Sequence, residues 1–229
     1  MGKVIELHNV TKKYGKKVAL KNISLDIETG KIIGLLGPNG SGKTTFMKTI
    51  MRIIREQSGN ILICNIPASY ETRKYISFMP DREFLYDTMT VKDAINYYKD
   101  SFSDFDMKTA DELVKLLGLN ITDKLTSLSK GNKEKAVLML TLSRKVPIYL
   151  LDEPLGSLDP LIKREMLDVI KKISSKDNVI IISTHLIKDT EEILDEGIFI
   201  KEGTIADQVD LKKSKKDLED LYLEVFRNA

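Results

Sequence analysis

The sequence predicts an α/β fold with a mostly parallel sheet, and three observations predict it. The apolar run 32–36 leads into the glycine-rich octamer Gly37-Pro38-Asn39-Gly40-Ser41-Gly42-Lys43-Thr44, and residues 45–55 carry a helical pattern after it. Strand-like and helix-like segments then alternate through the second half, at 146–151, 160–173, 179–183 and 187–194. Such alternation is the mark of strands joined by crossover helices. Two segments in the first thirty residues, 4–10 and 18–27, instead show partial two-residue alternation, which points to an antiparallel β-layer ahead of the core.

The remaining elements follow in order. A β-like run at 60–64 comes after Gln57-Ser58-Gly59. Its last residue, Cys64, is the only cysteine, so an internal disulfide and a cysteine-based zinc site are excluded. Its apolar surroundings predict a buried small side chain. From about 90 to 144 the pattern is helical, with Ala94, Tyr97 and Tyr98 expected on one face and Leu113, Leu116 and Leu117 on another. Residues 197–205 read as a β-hairpin, the basic run 212–216 as a solvated linker or helix start, and Leu218, Leu221, Tyr222 and Val225 as one stripe of a final helix. The expected organisation is a single domain over 1–229: a core with its β-layer at about 1–85 and 146–207, an inserted α-helical subdomain at about 86–145, and a C-terminal helix at about 208–229.

Composition narrows the function. At 229 residues and 42% apolar content the chain can bury a sizeable core. Thirty-six basic and 34 acidic residues leave a net charge of +2, which gives no reason to expect a nucleic-acid surface. Its apolar runs are too short to span a bilayer, and Met1-Gly2-Lys3-Val4-Ile5-Glu6 brings charge at once where a signal peptide would need an apolar stretch. A cytoplasmic protein is expected.

The octamer fits a phosphate-binding P-loop, G-x-x-x-x-G-K-T. A strand feeding a glycine turn into a helix leaves backbone N–H groups converging at the positive end of the helix dipole, which binds anionic phosphate. Lys43 is expected to reach the β- and γ-phosphates and the Thr44 hydroxyl to hold Mg²⁺. The segment Ile148-Tyr149-Leu150-Leu151-Asp152-Glu153 is an apolar strand ending in two carboxylates. Ligands of parallel sheets bind beyond the carboxyl ends of the strands. Asp152 is therefore expected to face the Mg²⁺, through water, and Glu153 to orient and deprotonate a water aimed at the γ-phosphate. His185 closes Ile181-Ile182-Ser183-Thr184-His185 at the same end of another strand, where it would hydrogen-bond the γ-phosphate. His8, the other histidine, is read as structural.

Taken in order, Gly37 to Thr44, Leu128-Ser129-Lys130-Gly131-Asn132, the strand ending at Asp152-Glu153, Ser157-Leu158-Asp159 and His185 resemble the Walker A, signature, Walker B, D-loop and H-loop motifs of the ATP-binding subunits of ABC transporters. The resemblance runs from about residue 3 to about residue 207, and the signature version looks most like Gram-positive exporters of peptides or drugs. It implies an ATPase with a P-loop NTPase core, with ATP and Mg²⁺ as cofactors. Pro38, Asn39, Ser41 and Thr45 join the phosphate cradle. Tyr14 stacks on adenine. Ser129 and Gly131, at the start of a helix over about 130–144, face the nucleotide of a second ATPase subunit, with Ser157 and Asp159 at the seam. A transmembrane permease is the other implied partner, which would place the chain on the inner face of the cell membrane. Three positions, in two motifs, depart from the family's pattern. Lys130 and Asn132 replace Gly and Gln of the usual Leu-Ser-Gly-Gly-Gln, and Asp81 stands where the family has Gln or Glu, so a Mg²⁺ contact from its shorter side chain would need an extra water. Phe84, Leu85 and Tyr86, after Asp81, are expected either to meet the membrane partner or to pack on the helical subdomain. Two other classes compete: a soluble ABC-type ATPase acting on ribosomes, DNA or protein complexes, and a P-loop kinase. The first would usually carry tandem nucleotide domains, coiled coils or zinc modules; the second has no use for the signature, Glu153 and His185 together.

Overall fold

A computed structural model describes residues 2–81, 85, 88–156 and 158–227. Elements follow one another as β1 (Lys3–Tyr14), β2 (Lys17–Glu28), β3 (Lys31–Leu36), α1 (Lys43–Ile50), β4 (Ser58–Ile63), β5 (Ile66–Pro67), β6 (Ile76–Met79), α2 (Val91–Ser101), α3 (Met107–Leu116), α4 (Lys130–Leu142), β7 (Ile148–Asp152), α5 (Pro160–Ile173), β8 (Val179–Thr184), α6 (Ile187–Thr190), β9 (Glu196–Lys201), β10 (Thr204–Asp210) and α7 (Leu218–Arg227). Among the described residues two sheets form. The smaller is antiparallel, in the order β2-β1-β4-β5. The larger runs β10-β9-β3-β8-β7-β6 and is parallel throughout except for the β9–β10 hairpin. The expected α/β class, with its antiparallel layer and its intervening helices, is therefore the fold observed.

The central strands are apolar on both faces because both faces are covered. Their side chains divide with the two-residue period of a strand. Ile33, Leu35, Ile148, Leu150, Ile181, Ile198 and Ile200 join a core with α1 and the antiparallel sheet. Ile32, Leu36, Tyr149, Leu151, Ile180, Ile182 and Phe199 join a second core with the helices. Each buried Ile or Leu contributes about 1.5–3 kcal/mol, so a one-residue slip in any central strand would exchange two complete sets of contacts.

Several expectations are corrected. The helix foreseen over 45–55 begins at Lys43 and ends at Ile50. Arg52 takes a left-handed backbone, φ +56°, and the Arg73 guanidinium occupies the carbonyls of Met51 and Arg52 at 3.0 and 2.6 Å. Those bonds end the helix in place of a further turn. Tyr97 and Leu116 do not share the faces assigned to them: they are 49% and 51% exposed, while Ala94, Tyr98, Leu113 and Leu117 are buried. Positions four apart carry the stripe, and these two fall on its flank. Cys64 lies just past β4 and is half-buried, because it and Asn65 (φ +50° and +62°) form the two-residue turn between β4 and β5. The helix expected over 187–194 is one α-turn, α6, continued by a tighter turn at Glu191–Ile193.

A buried arginine ties the helices to the sheet. Arg144 makes two bonds of 2.7 Å to the Asp104 carboxylate and donates to the carbonyl of Ile76 at 2.8 Å. It also lies over the Phe102 ring, 4.1 Å from the centroid. Replacing one member strands the others in low dielectric. Arg144→Met is expected to lower the unfolding free energy by about 3 kcal/mol, read as a shifted urea midpoint at unchanged slope; a loss under about 1 kcal/mol would mean that water replaces the guanidinium adequately.

Candidate functional site

The site forms because three parallel strands end within one residue of each other. In register, Leu36 of β3 lies beside Thr184 of β8, and Asp152 of β7 lies beside Ser183. The next residues of each strand, Gly37, Glu153 and His185, are thereby delivered to one edge of the sheet. Gly37 begins the glycine loop with φ +158°, and a Cβ there would collide with the carbonyl of Ile200. Gly42, the residue before α1, has φ +118°, and a Cβ on it would lie 2.7 Å from the Ala19 carbonyl. Any other residue would push the loop off both neighbours.

The loop leaves the N-terminus of α1 without a side-chain cap. By contrast Thr90 caps α2, Asp106 caps α3, Ser129 caps α4 and Asp159 caps α5. The first-turn N–H groups of α1 are free to bind an anion. Lys43, buried in the loop, donates to the carbonyls of Gly37 at 2.8 Å and Pro38 at 3.3 Å, and its ammonium lies 3.3 Å from Glu153 Oε1. His185 Nδ1 lies 2.9 Å from the other oxygen of the same carboxylate. Glu153 thus sits between two groups that can carry positive charge. Its backbone is left-handed, φ +50°, a conformation costly for a side chain of this size. The strain turns the carboxylate out of the β7 line and toward the loop.

Asp152 is 1% exposed. Its Oδ1 accepts from Thr44 Oγ1 at 3.1 Å and from Ser183 Oγ at 2.6 Å. Its Oδ2 is buried and, among the described residues, has no hydrogen-bond partner. A carboxylate oxygen left this way, next to a threonine hydroxyl, suits a hard cation. No cluster of three or more metal-ligating side chains occurs among the described residues.

The cleft over the loop has a volume of about 260 Å³ and brings together Tyr14, Asn39, Gly40, Thr44, Asp81 and Glu153, with Gly42, Lys43 and Thr45 beneath. Tyr14 is 49% exposed, with Lys12 Nζ 5.2 Å from its ring centroid. Ser129, Gly131 and Asp159 do not line it. They lie at the starts of α4 and α5, where Ser129 Oγ accepts from the Asn132 N–H at 3.3 Å and Asp159 Oδ1 from those of Leu161 and Ile162 at 3.1 Å. Ser157, Phe84 and Tyr86 lie outside the described residues; Leu85 packs against the helical core. His8 is exposed, 4.0 Å from Glu6.

Three residues of the site escaped the sequence. Lys17 and Ala19 reach the cleft wall only because β2 folds back beside the loop. Ser183 donates to Asp152 and accepts from the Glu153 N–H at 3.0 Å, so it holds both carboxylate residues. Only strand register could have revealed it.

Comparison with known proteins adds the following. A family model described as ABC transporter matches residues 20–156. The ABC transporter ATP-binding protein YtrB of Bacillus subtilis is 31% identical, over 93% of this chain and 74% of its own length. The lantibiotic transport ATP-binding protein SrtF of Streptococcus pyogenes is 28% identical, over 96% of each chain. Among solved structures, the ATP-binding cassette MJ0796, a dimer in a post-hydrolysis state bound to ADP and Pi, superposes with a TM-score of 0.79 at 25% identity, covering 90% of this chain and 98% of that one.

Because the Ser183 hydroxyl donates to the buried Asp152 carboxylate, Ser183→Ala is expected to destabilise the chain by about 1–3 kcal/mol in urea titration. A neutral result would place ordered water behind Asp152.

Proposed function

The chain belongs to the ABC transporter ATP-binding family and is an ATPase, and from that premise we propose that it powers a separate transmembrane permease exporting peptides or drugs. Two subunits, identical or related, close face to face over ATP, and hydrolysis lets them part. The observation that carries this is the Glu153 carboxylate, held between Lys43 and His185 above the uncapped start of α1. The name of the lantibiotic transport relative supports the choice of peptides.

In this reading the N–H groups from Gly40 to Thr45, with that of Asn39 near their edge, wrap the β- and γ-phosphates, Pro38 lends the cradle a fixed φ rather than a donor, and Lys43 balances charge that builds in the transition state. Gly37 and Ser41 shape the turn. Glu153 aligns a water with the γ-phosphate and takes its proton, and His185 fixes the carboxylate from its other side. Tyr14 offers its exposed face to adenine, whatever the base's edge presents. Thr44 and Asp152, with Asp81 across the cleft, are the residues that would hold Mg²⁺, whose charge would neutralise the phosphate oxygens. Ser129 and Gly131 meet the partner's nucleotide and Asp159 its seam. The permease partner sets the chain on the inner face of the membrane. Among the described residues no helix is long and apolar enough to cross it.

Glu153→Gln is expected to bind ATP, lose about 10²–10⁴-fold in turnover, and accumulate as a dimer in light scattering. Cells relying on this variant should be inhibited by lower concentrations of amphipathic peptide than cells with the parent chain. Undiminished turnover would remove Glu153 from the base role, and equal peptide tolerance would remove the cargo.

A further inference from the structure

Helices α4 and α5, which strand β7 separates in sequence, run side by side. Gly131, in the first turn of α4, is buried, and a Cβ on it would collide with Ile162 Cδ1 of α5. One turn further along α4, Lys135 pairs with the carboxylate of Glu165, one turn further along α5. Lys135 is 8% exposed and also donates to the carbonyl of Leu117 at 3.2 Å. The two contacts advance in the same chain direction, 131 to 135 and 162 to 165. The helices are therefore parallel, and the Ser129 and Asp159 caps lie at the same end. From α5 the chain of ion pairs continues: Lys163 meets Asp189 of α6 at 2.6 Å, and α6 follows His185 directly.

An ammonium is an unfavourable group to bury, and an apolar side chain of similar length would fill the same space. What an ion pair adds is position. Apolar flanks of two helices can slide past one another, whereas a lysine joined to both Glu165 and the Leu117 carbonyl has one axial setting. One residue of slip is about 1.5 Å, and a misplacement of about 1 Å at a reacting centre can cost about 100-fold.

We propose that Lys135 is a positioning residue for ATP hydrolysis. Its pair with Glu165 sets the height of the Ser129 terminus against the Asp159 terminus, so that both reach the nucleotide held by the partner subunit. The inference rests on the face-to-face closure proposed above. Lys135 does not line the cleft over the glycine loop, so its effect appears in turnover and closure and not in the affinity of a single glycine loop.

The test uses the full chain and three measurements: ATP turnover, affinity of the separate subunit for a fluorescent ADP analogue, and the ATP-dependent dimer formed on a Glu153→Gln background. Lys135→Met removes the charge and keeps the length. It is expected to lower turnover and weaken the dimer by about tenfold to 100-fold while ADP affinity stays within about twofold. Lys135→Arg restores the cation and should bring turnover back to within about threefold of the parent. Glu165→Gln should lose turnover in the same direction, and it carries the test if circular dichroism finds Lys135→Met unfolded. Unchanged turnover in a folded variant, a parallel loss of ADP affinity, or no recovery with arginine overturns the proposal. If the Glu153→Gln parent itself forms no dimer with ATP, face-to-face closure falls, and this inference with it.

Discussion

The site depends on one constraint: β3, β7 and β8 must end within one residue of each other. The pairing of Leu36 with Thr184 and of Asp152 with Ser183 supplies that alignment. Given it, a glycine loop, an acidic pair and a histidine arrive within hydrogen-bond reach although they lie far apart in sequence. The alignment is enforced by the apolar faces of the same strands. A register shift that moved the groups of the candidate site would also turn Ile181 and Ile182 toward the wrong layers. Core packing and site geometry are in this sense one specification.

Within that frame the charged groups restrain each other. Lys43 lies between loop carbonyls and Glu153. Asp152 is shared by Thr44 and Ser183. Ser183 also accepts from the Glu153 N–H, so a single hydroxyl couples the residue expected near the metal to the residue expected to handle water. The left-handed backbone at Glu153 persists because these contacts over-determine it.

Much of this was legible from residue types alone. The glycine octamer, the Asp152-Glu153 pair and His185 each follow an apolar run, and a rule about strand ends was enough to bring them together. The antiparallel layer showed in its two-residue alternation. What stayed hidden depends on partners remote in sequence. The end of α1 is decided by Arg73, 21 residues beyond Arg52. Ser183 acquires its role from the neighbouring strand, and Lys17 from the fold of β2 against the loop. Lys135 carries no local signal of its role, which depends on Glu165 of another helix lying opposite it. Local pattern reports the face an element presents; it carries no record of which other element covers that face.

The helix starts sort by charge in a way that supports the proposed use of two of them. Acidic groups favour a helix N-terminus by about 0.3–1 kcal/mol, and most helices here follow that preference. Asp93 stands in the first turn of α2, Asp106 caps α3, Asp159 caps α5, and Glu219 and Asp220 open α7. Among the described residues α1 and α4 differ, with no carboxylate at the cap or in the first turn. At α4 the opening residue is Lys130, set against the dipole. Helix stability alone does not account for that choice. In the proposed dimer a phosphate would, because a carboxylate at either terminus would repel it, whereas the glycine at α1 leaves its first turn uncapped and the serine cap at α4 is neutral. Ser129 holds its Asn132 N–H at 3.3 Å, the long end of hydrogen bonding, so an anion could take that donor at little cost. The two electropositive helix starts are those the proposed dimer would bring together on opposite sides of one nucleotide.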